Sequence, residues 1–489
     1  MNLSKIVEDI ATIDVGEISP DHIVKVLNDH MAAVMEGGIC WVLDKHPGGE
    51  GVSYRLLRDG EVEKLFKPFQ VSVTMGRRVA TWSYFKVWFE HPDRETYAGG
   101  LMIDPARKPG AQGPCWNVWP GLSFPEVVKD SPRPRGSWRR LRHHLRFNWC
   151  HTEAEWEFLL KTMARLIQFP ELKADIVVIA YTQEEGTGKD TPMEHLSKLL
   201  PAAYVAEPQG EADITGDFNK TSAVAIMTIG SEIFFARDKR SMDRFKAQVT
   251  QSFVTVGEKY EPKLKIVNRS HYWLTSNRPH VVEASATSRR WFVMRISTVV
   301  MQAHEFFAAM KTELQHGDDS GYKAMKWDLL NIDLTHFNHR AIPETDGLRR
   351  QRAAGLSQQD QWWASLLETG AIPGTGGGWQ ATVAGTTLYD SYREFCGRAH
   401  HSRREPEIVN IFSRDYLVET LKLIPTQTRR TDLLPQGVTR GRVYDLRPLA
   451  DMRQEFDARC RTGLWAATDD GVAEAAADSA GHSHALTSQ

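Results

Sequence analysis

The chain has 489 residues, of which 41% are hydrophobic and 25% charged, and its formal net charge is −2. This composition is typical of a soluble globular protein, and the length is enough for roughly two to four domains. No apolar run approaches the roughly 20 residues that a membrane helix needs. Residues 1–5 do not lead into the apolar core of a signal peptide. We therefore expect a cytoplasmic protein with no membrane partner.

Residues 1–90 have the pattern of a small mixed α/β domain. Apolar residues recur at helical spacing across residues 23–35, and short apolar runs at residues 39–43 and 71–73 predict strands. Residues 91–150 are rich in Pro, Gly and Trp and show little periodicity. They predict an irregular but packed connector.

Residues 151–300 carry the pattern of an α/β core. An apolar stripe over residues 153–167 predicts an amphipathic helix, and the continuous apolar run at residues 176–181 predicts a buried parallel strand. A glycine-bearing loop and a helix over residues 191–200 follow. Further strands are predicted at residues 223–229, 253–256, 272–275 and 291–296. Alternating strands and helices predict a core of three layers.

The remainder of the chain divides by composition. Residues 301–357 are mostly helical in pattern and charged, which predicts a helical connector. Residues 358–462 mix helical patterns with Gly- and Arg-rich turns, over a length that suits a winged-helix-like domain. Residues 463–489 consist mostly of Ala, Asp, Ser, His and Gly and predict a disordered tail.

The cysteines and histidines give little sign of a metal site or of disulfides. The 5 cysteines are far apart, and none forms a Cys-x-x-Cys pair. A loose group of candidate metal ligands lies in a basic segment: His143, His144, Cys150 and His151. Its spacing does not match the usual zinc patterns, so an exposed basic segment is the simpler interpretation.

Basic residues bunch at residues 133–146, 349–352 and 429–442. Local positive charge attracts phosphate backbones even when the net charge is near zero. Each patch is therefore a candidate contact with nucleic acid, and a solvated surface is the alternative.

The loop after the buried strand has the composition of a phosphate-binding loop. Glycines let backbone N–H groups turn toward phosphate oxygens, and the lysine that follows can reach the β- and γ-phosphates. The predicted ATP-binding residues are Glu185, Gly186, Thr187, Gly188, Lys189, Asp190 and Thr191. Gln183 stands where the usual pattern has its first glycine, and Asp190 where it has a hydroxyl. Either Asp190 or Thr191 is therefore the expected magnesium ligand from this loop.

Two later strands end in polar residues that suit ATP hydrolysis. Glu232 is the candidate for orienting the attacking water and for serving magnesium, and Ser231 stands where many such motors have Asp. Asn277 is the candidate sensor of the γ-phosphate. The alternatives are an exposed acid after a core strand and a turn-forming Asn.

Two basic motifs complete the pattern of a motor. Arg289 or Arg290 is the candidate for stabilising transition-state charge at the γ-phosphate of a neighbouring subunit. Between the acid and the sensor, Gly, Pro and alternating lysines predict an exposed hairpin, in which Lys259, Lys263 and Lys265 would contact DNA. Structural or DNA-facing arginines and a solvated hairpin are the alternatives.

In their order and spacing, these motifs resemble the superfamily 3 replicative helicases of phages and plasmids, the ATPase module of primase-helicase proteins. The resemblance runs from about residue 87 to residue 290, and more loosely to residue 460. The segments that carry it are residues 116–121, 167–170 with Lys173, 186–191, 218–219, Glu232, 245–246 with Thr250, 257–259, 275–277 and 289–290.

The resemblance implies an AAA+-like P-loop ATPase core, a homo-hexameric ring, and translocation on single-stranded or forked DNA, with ATP and Mg²⁺, in a bacterial host cell. The residue types of the family fall on Lys189, Glu232, Asn277 and Arg290. Residues 1–90 contain no paired Asp-x-Asp and no zinc-ligand set, so priming is not inferred. A separate primase or other replication protein is the expected partner.

Two alternatives to a helicase stay open. One is an ATP-controlled switch that recognises an origin or recruits a partner without unwinding. The other is a non-catalytic DNA-binding descendant, given the departures at Gln183, Asp190 and Ser231.

Overall fold

The computed structural model describes residues 3–11, 19–46, 54–75, 78–216, 220–232, 239–256, 264–373, 377–398, 408–429 and 440–465. The chain forms two compact units. The first comprises residues 1–281 and 289–345, and the second comprises residues 282–288 and 346–489.

The first unit begins with a small sheet and its helices. The helices are α1 (Leu3–Ala11), α2 (Pro20–His30), α3 (Asp59–Phe66) and α4 (Tyr84–Glu90). The strands are β1 (Met31–Glu36), β2 (Ile39–Asp44), β3 (Arg55–Leu57), β4 (Gln70–Met75), β5 (Arg78–Ser83) and β6 (Thr96–Tyr97). The strands β3, β2, β1 and β6 pair in that order, whereas β4 and β5 pair with each other.

The helix predicted over residues 23–35 ends at His30, and β1 follows it directly. Residues 31–34 are fully buried, and β1 pairs antiparallel with β2, with Met31 opposite Asp44. The C-terminal part of that prediction is wrong because a continuous apolar run suits a buried strand as well as a helix.

The connector at residues 91–150 contains a small sheet and one short helix. The strands β7 (Gly100–Met102), β8 (Gly110–Gln112) and β9 (Cys115–Asn117) pair in the order β7, β9, β8. The helix α5 (Arg139–His144) continues into a π-helical turn over Leu145–Trp149. The sequence did not predict α5, because a six-residue basic helix has too short an apolar stripe to be recognised.

The core sheet of the first unit is parallel. Its strands are β10 (Val177–Tyr181), β11 (Val205–Ala206), β12 (Met227–Gly230), β15 (His271–Ser276) and β16 (Trp291–Arg295). Among the described residues they pair in the order β11, β12, β15, β10, β16, and every neighbouring pair is parallel. The carboxyl ends of all these strands therefore meet at one edge of the sheet. The predicted buried strand, β10, lies between β15 and β16 and is buried throughout.

Two predicted strands differ from the core sheet that the structure shows. Residues 220–224 form a helix, and the strand predicted over residues 223–229 begins only at Met227. The strand β13 (Phe253–Val256) pairs antiparallel with β14 (Leu264–Val267) in a separate two-stranded hairpin. Local apolar runs do not specify which strand is the partner, so the sequence could not separate β13 from the core sheet.

Helices cover both faces of the core sheet. They are α6 (Glu153–Gln168), α7 (Thr191–Ser197), α8 (Glu211–Thr215), α9 (Lys220–Val224), α10 (Lys239–Thr250) and α11 (His304–Leu330), the last with a kink at residues 316–319. On one face, Trp273 and Phe292 belong to the core shared with α6 and α11. On the other, Phe245 of α10 packs against Tyr272 and Trp291, with ring centroids 5.0 and 6.0 Å apart. Neighbouring residues of β15 and β16 thus point into different layers, as the alternation of a strand requires.

The second unit has its own aromatic core and a small sheet. Its helices are α12 (Asp346–Ala354), α13 (Gln358–Thr369), α14 (Gly385–Arg398), α15 (Val409–Ile411), which continues as a π-helical segment over Phe412–Thr420, and α16 (Leu449–Cys460). The strands β17 (Thr382–Ala384), β18 (Pro425–Thr428) and β19 (Gly441–Asp445) pair in the order β17, β19, β18. Tyr392 stacks on Phe412 at 4.6 Å beside Trp362. Among the described helices of the chain, none is long and apolar enough to cross a membrane.

Candidate nucleotide-binding site

The loop between β10 and α7, residues 182–190, lies at the carboxyl edge of the core sheet. The Thr182 N–H donates to the Ser276 carbonyl at 3.1 Å, so the loop leaves β10 beside the end of β15. Gly186 and Gly188 have φ angles of +72° and +74°, a left-handed conformation that glycine adopts without strain. A Cβ atom at Gly188 would lie 2.4 Å from the ring of Phe307. Glycine at position 188 is therefore required by the backbone conformation and by the available space.

Lys189 extends between two carboxylates. Its Nζ lies 3.2 Å from Glu232 Oε1 and 3.6 Å from Asp190 Oδ2, and its side chain is only 10% exposed. Glu232 follows β12, whereas Lys189 and Asp190 follow β10, and β15 lies between these strands. The parallel sheet thus brings together charged groups that are distant in sequence.

Asp190 accepts hydrogen bonds from residues at the ends of β12 and β15. Ser231 Oγ donates to Asp190 Oδ1 at 3.2 Å, and Thr275 Oγ1 donates to the same oxygen at 2.5 Å. Sequence analysis did not assign a role to the Thr275 hydroxyl. The one feature that could have indicated it is the position of Thr275 in the string Thr275-Ser276-Asn277 at the end of a strand.

Glu232 and Asn277 are also neighbours. The Asn277 N–H donates to Glu232 Oε2 at 3.4 Å. Glu232 has a φ angle of +60°, which is uncommon for a residue with a side chain. Backbone conformations of this kind persist where the surroundings enforce them, and they concentrate at functional sites.

Residues on the buried face of α5 and of its π-helical turn hold the loop at residues 182–190 in position. His144 Nε2 lies 3.0 Å from the Gly188 carbonyl oxygen, and Asn148 Nδ2 lies 3.2 Å from His144 Nδ1. Burial lowers the pKa of His144 to about 4, so the imidazole is neutral at pH 7. Because a carbonyl only accepts, Nε2 carries the proton and Nδ1 accepts from Asn148. His144 thereby anchors the loop at residues 182–190 to α5.

The loose group of candidate metal ligands does not form one site. His144 bonds to the loop, and His151 Nε2 lies 2.7 Å from the Arg295 carbonyl oxygen instead. Cys150 is buried, and burial raises the pKa of its thiol. In the described part of the chain, no three His, Cys, Asp or Glu side chains are grouped so that they could hold a metal ion. The anchoring role of His144 could not be predicted, since it depends on a contact with a residue far along the chain.

The oxygen donors at the carboxyl edge suit a magnesium ion. Carboxylate oxygens of Asp190 and Glu232 both approach the Lys189 ammonium, and the Ser231 hydroxyl is bonded to Asp190. Mg²⁺ is usually held by one or two carboxylates, with waters and phosphate oxygens as its other ligands. Thr191 lies in the first turn of α7, and its hydroxyl forms no hydrogen bond to another described residue. Of the two residues of this loop that are candidates for magnesium, Asp190 is the one that contacts Ser231 and lies beside Lys189, which Glu232 also approaches.

The two candidate arginines lie at the opposite edge of the sheet. Arg290 immediately precedes β16, and its carbonyl accepts a hydrogen bond from the N–H of Val177, the first residue of β10, at 2.8 Å. A five-residue strand is roughly 16 Å long, and that length separates these arginines from the loop. Arg289 is exposed, and the Nε of Arg290 is buried without a hydrogen-bond partner among the described residues.

Of the three lysines predicted to contact DNA, the structure describes only Lys265. It lies in β14 opposite Thr255, and its Nζ is 4.8 Å from the centre of the Phe253 ring. That ring is 47% exposed. Lys259 and Lys263 lie outside the described residues.

Comparison with known proteins gives a match to one family model over part of the chain, and a shared fold over most of it. Residues 181–290 match a family described as "Family of unknown function (DUF5906)". No curated protein matches the sequence significantly. The apo structure of the NrS-1 C-terminal region (305–718) is similar, with a TM-score of 0.59 and 12% identity over 88% of this chain and 100% of that chain. The A form apo structure of the same region gives a TM-score of 0.61, with the same identity and coverage. The chain therefore shares the fold of the NrS-1 C-terminal region.

Proposed function

We propose that the protein is an ATP-driven DNA helicase or translocase of the superfamily 3 type, which acts in the replication of a phage, plasmid or other mobile element. The observation that carries this proposal is the meeting of Lys189, Asp190, Glu232 and Asn277 at the ends of three adjacent parallel strands. In open parallel sheets, ligands bind outside the carboxyl ends of the strands. Replication takes place in the cytoplasm of a bacterial host, with a separate primase or other replication protein as a partner.

The loop at residues 182–190 binds the phosphates of ATP. Its two left-handed glycines turn the backbone sharply, and such turns present N–H groups to an anion. Lys189 is the cation for the β- and γ-phosphates, and it is already oriented by two carboxylates. The buried hydroxyl of Thr187 has no hydrogen-bond partner among the described residues and is available to a ligand. An AAA+-like core is the fold that these features support.

Asp190 and Glu232 hold magnesium, which supplies positive charge to the phosphate oxygens when it is bound. Glu232 also orients the attacking water, because its carboxylate is next to Lys189 and receives the Asn277 N–H. Asn277 follows β15, the middle strand of the core sheet, and in this proposal it contacts the γ-phosphate. The water loses its proton to Glu232 as its oxygen forms a bond to the γ-phosphorus, and the β–γ bridging oxygen leaves with ADP.

The arginine that stabilises the transition state comes from another subunit. Arg289 and Arg290 lie at the amino edge of the sheet, so they cannot reach the loop of their own chain. In a homo-hexameric ring, the amino edge of one subunit faces the loop of the next, and an arginine supplied in this way accelerates hydrolysis strongly.

In this proposal, the hairpin of β13 and β14 contacts the DNA strand along which the protein moves. Lys265 beside the exposed Phe253 ring combines a cation with a stacking surface, which suits single-stranded DNA. Lys259 and Lys263 act with it in this proposal. The second unit has the order α12, α13, β17, α14, α15, β18, β19 and α16. Its segment from α13 to β19 runs helix, strand, two helices, two strands, and this order together with the three-stranded sheet supports a winged-helix-like domain for DNA.

ATPase turnover with and without single-stranded DNA tests the proposal. Lys189→Ala and Glu232→Gln should each lower turnover by on the order of a hundredfold or more, because each removes a charge that acts on the phosphates. Lys198→Ala and Glu157→Gln remove exposed charges from other positions and should leave turnover unchanged. Glu232→Gln should still bind ATP.

A forked duplex separates the alternatives. DNA-stimulated hydrolysis with strand displacement supports a helicase. Hydrolysis that displaces no strand supports the ATP-controlled switch. A protein that binds DNA but neither binds nor hydrolyses ATP would be a non-catalytic descendant, and the proposal would fail.

A further inference from the structure

A groove with cationic and aromatic walls lies on the outer face of α5 and its π-helical turn. We call it the α5 groove. Its volume is about 490 Å³, and its lining consists of Arg139, Arg142, His143, Arg146, Phe147 and Trp156. None of these residues belongs to the candidate nucleotide site described above.

The helix itself fixes which residues face outward. Leu141, His144 and Leu145 are fully buried, so Arg139, Arg142 and His143 are left on the exposed side. The buried side is bound to the phosphate loop through His144 and Gly188. The cations of the groove are therefore held on a helix that cannot rotate without breaking that contact.

The charge of the groove is positive. Arg139 and Arg142 are exposed and form no ion pair with a described acidic side chain. Arg146 donates to Glu153 at 2.7 Å, and this carboxylate is 73% exposed. By contrast, Arg140 on the same helix faces elsewhere and is paired with Glu313 at 3.1 Å. Two unpaired guanidinium groups beside each other attract an anion, and phosphate is the anion that their planar donors match best.

The aromatic side chains add a stacking surface. Phe147 is 59% exposed, its ring centre lies 4.6 Å from that of His143, and the Arg146 guanidinium lies 5.2 Å from it. The Arg142 guanidinium lies 5.9 Å from the ring of Trp156. Exposed aromatic rings among arginines are the features with which proteins bind unpaired bases and their phosphates.

We propose that the α5 groove binds a nucleotide unit of single-stranded DNA, with phosphates at Arg139 and Arg142 and a base on the exposed ring of Phe147. Duplex DNA keeps its bases stacked inside and offers none to Phe147. A free nucleotide has the same chemistry, but a strand adds phosphates on both sides of the bound base and so engages both arginines. The inference deepens the proposed function, on which it rests for the identity of the strand as DNA.

The test uses the full chain without ATP and a fluorescein-labelled oligothymidine, with anisotropy measured over a range of salt concentrations. Phe147→Ala should weaken binding on the order of tenfold and leave the salt dependence unchanged, because it removes stacking and no charge. Arg139→Ala and Arg142→Ala should each lower the slope of log K against log salt by roughly 0.7, the value for one phosphate contact on a single strand.

Arg140→Ala is the matched control, since it removes the same charge from the same helix outside the groove. It should change neither affinity nor slope. Cross-linking with oligonucleotides that carry 5-iodouracil should map to Phe147 or His143. Circular dichroism and thermal melting show whether a variant has kept its fold, and a cross-link in the wild-type chain does not depend on any variant.

Three results would overturn the inference. The first is that Arg140→Ala weakens binding as much as Arg142→Ala does. Binding would then depend on the overall positive charge of the helix and not on the α5 groove. The second is equal affinity for the duplex of the same sequence. The third is displacement of the oligothymidine by thymidine monophosphate at comparable concentration, which would assign the groove to free nucleotides. Failure of the proposed ATPase is distinguishable from failure of this inference, because Lys189→Ala should lower ATP turnover by on the order of a hundredfold or more while oligothymidine binding without ATP persists.

Discussion

The two edges of the core sheet differ in charge and in what completes them. At the carboxyl edge, the acids Asp190 and Glu232 lie on either side of the Lys189 ammonium. At the amino edge, Asp175 pairs with Lys173 and Arg340 and lies 3.2 Å from His339 Nε2. The carboxyl edge thus has oxygen donors for a metal ion, and the amino edge has cations in excess.

The amino edge contains still more positive charge. Arg165 and Arg269 are largely buried, and burial lowers the pKa of both guanidinium groups. Buried nitrogen atoms of Arg165, Arg269 and Arg290 have no hydrogen-bond partner in the described part of the chain. Unpaired buried donors are costly in a single chain. The two edges therefore differ in charge, and such a difference is what the proposed ring of identical subunits would need at each of its interfaces.

The largest expected effect is a loss of ATP turnover when the amino edge no longer supplies its arginine to the neighbouring subunit. Arg290→Ala or Arg289→Ala, whichever residue supplies the arginine, should lower ATP turnover by on the order of a thousandfold or more. Mixing that variant with Lys189→Ala should restore part of the activity, since some interfaces then join an intact loop to an intact arginine. Turnover of the mixture at several ratios measures this. Loss that mixing never restores would contradict a shared site.

Substitution of Asp175 tests how much the ion pairs at the amino edge contribute to stability, independently of ATP turnover. Asp175→Asn should lower the free energy of unfolding by about 3 kcal/mol, because Lys173 and Arg340 then lose their buried counter-charge. Urea unfolding measures the change. The control is Glu157→Gln, which breaks an exposed pair with Lys161 and should change stability by less than about 0.5 kcal/mol. An equally small effect of Asp175→Asn would show that Lys173 and Arg340 do not need Asp175 as a counter-charge.

Acid should destabilise both edges. Burial lowers the pKa of His144 to about 4 and that of His271 to about 3. In the unfolded chain these groups take up protons near pH 6.5, whereas in the folded chain they do so only near pH 4 and pH 3. Stability is therefore greatest above pH 6.5 and falls through that window, by up to about 1.4 kcal/mol per pH unit for each histidine.

Urea titrations at a series of pH values measure that slope. His144→Gln keeps a donor for the Gly188 carbonyl but does not titrate. Below pH 6.5 it should therefore reduce the slope of the free energy of unfolding against pH by up to about 1.4 kcal/mol per pH unit. An unchanged slope in this variant would mean that His144 is already charged in the folded protein.

The smallest expected effect distinguishes the two magnesium candidates. Asp190→Asn should raise the magnesium concentration needed for half-maximal hydrolysis by about tenfold, since a carboxylate ligand becomes neutral. Thr191→Val should leave it within about twofold. The reverse pattern would assign the metal to the Thr191 hydroxyl and leave Asp190 as a partner of Ser231 and Thr275 alone.

Patterns among neighbouring residues were enough to predict several of the helices and strands. The apolar run of β10 and the stripe of α6 gave their positions to within a residue or two, because period and burial are written in neighbouring residues. Loop composition pointed to Gly186, Gly188 and Lys189, and strand ends pointed to Glu232 and Asn277. The roles of these residues are still predictions, as are the domain boundaries.

The pairing of the strands could not be read from local patterns and is known only from the fold. Pairing of β15 with β10 and with β12 brings Thr275 and Ser231 to Asp190, and pairing of β10 with β16 puts Arg290 at the far edge from Lys189. The strand β13 pairs with β14 outside the core sheet, and His144 contacts Gly188 in the loop between β10 and α7. Contacts of this kind join residues far apart in the chain, so no local pattern encodes them, and the free energy of the whole packed core selects them.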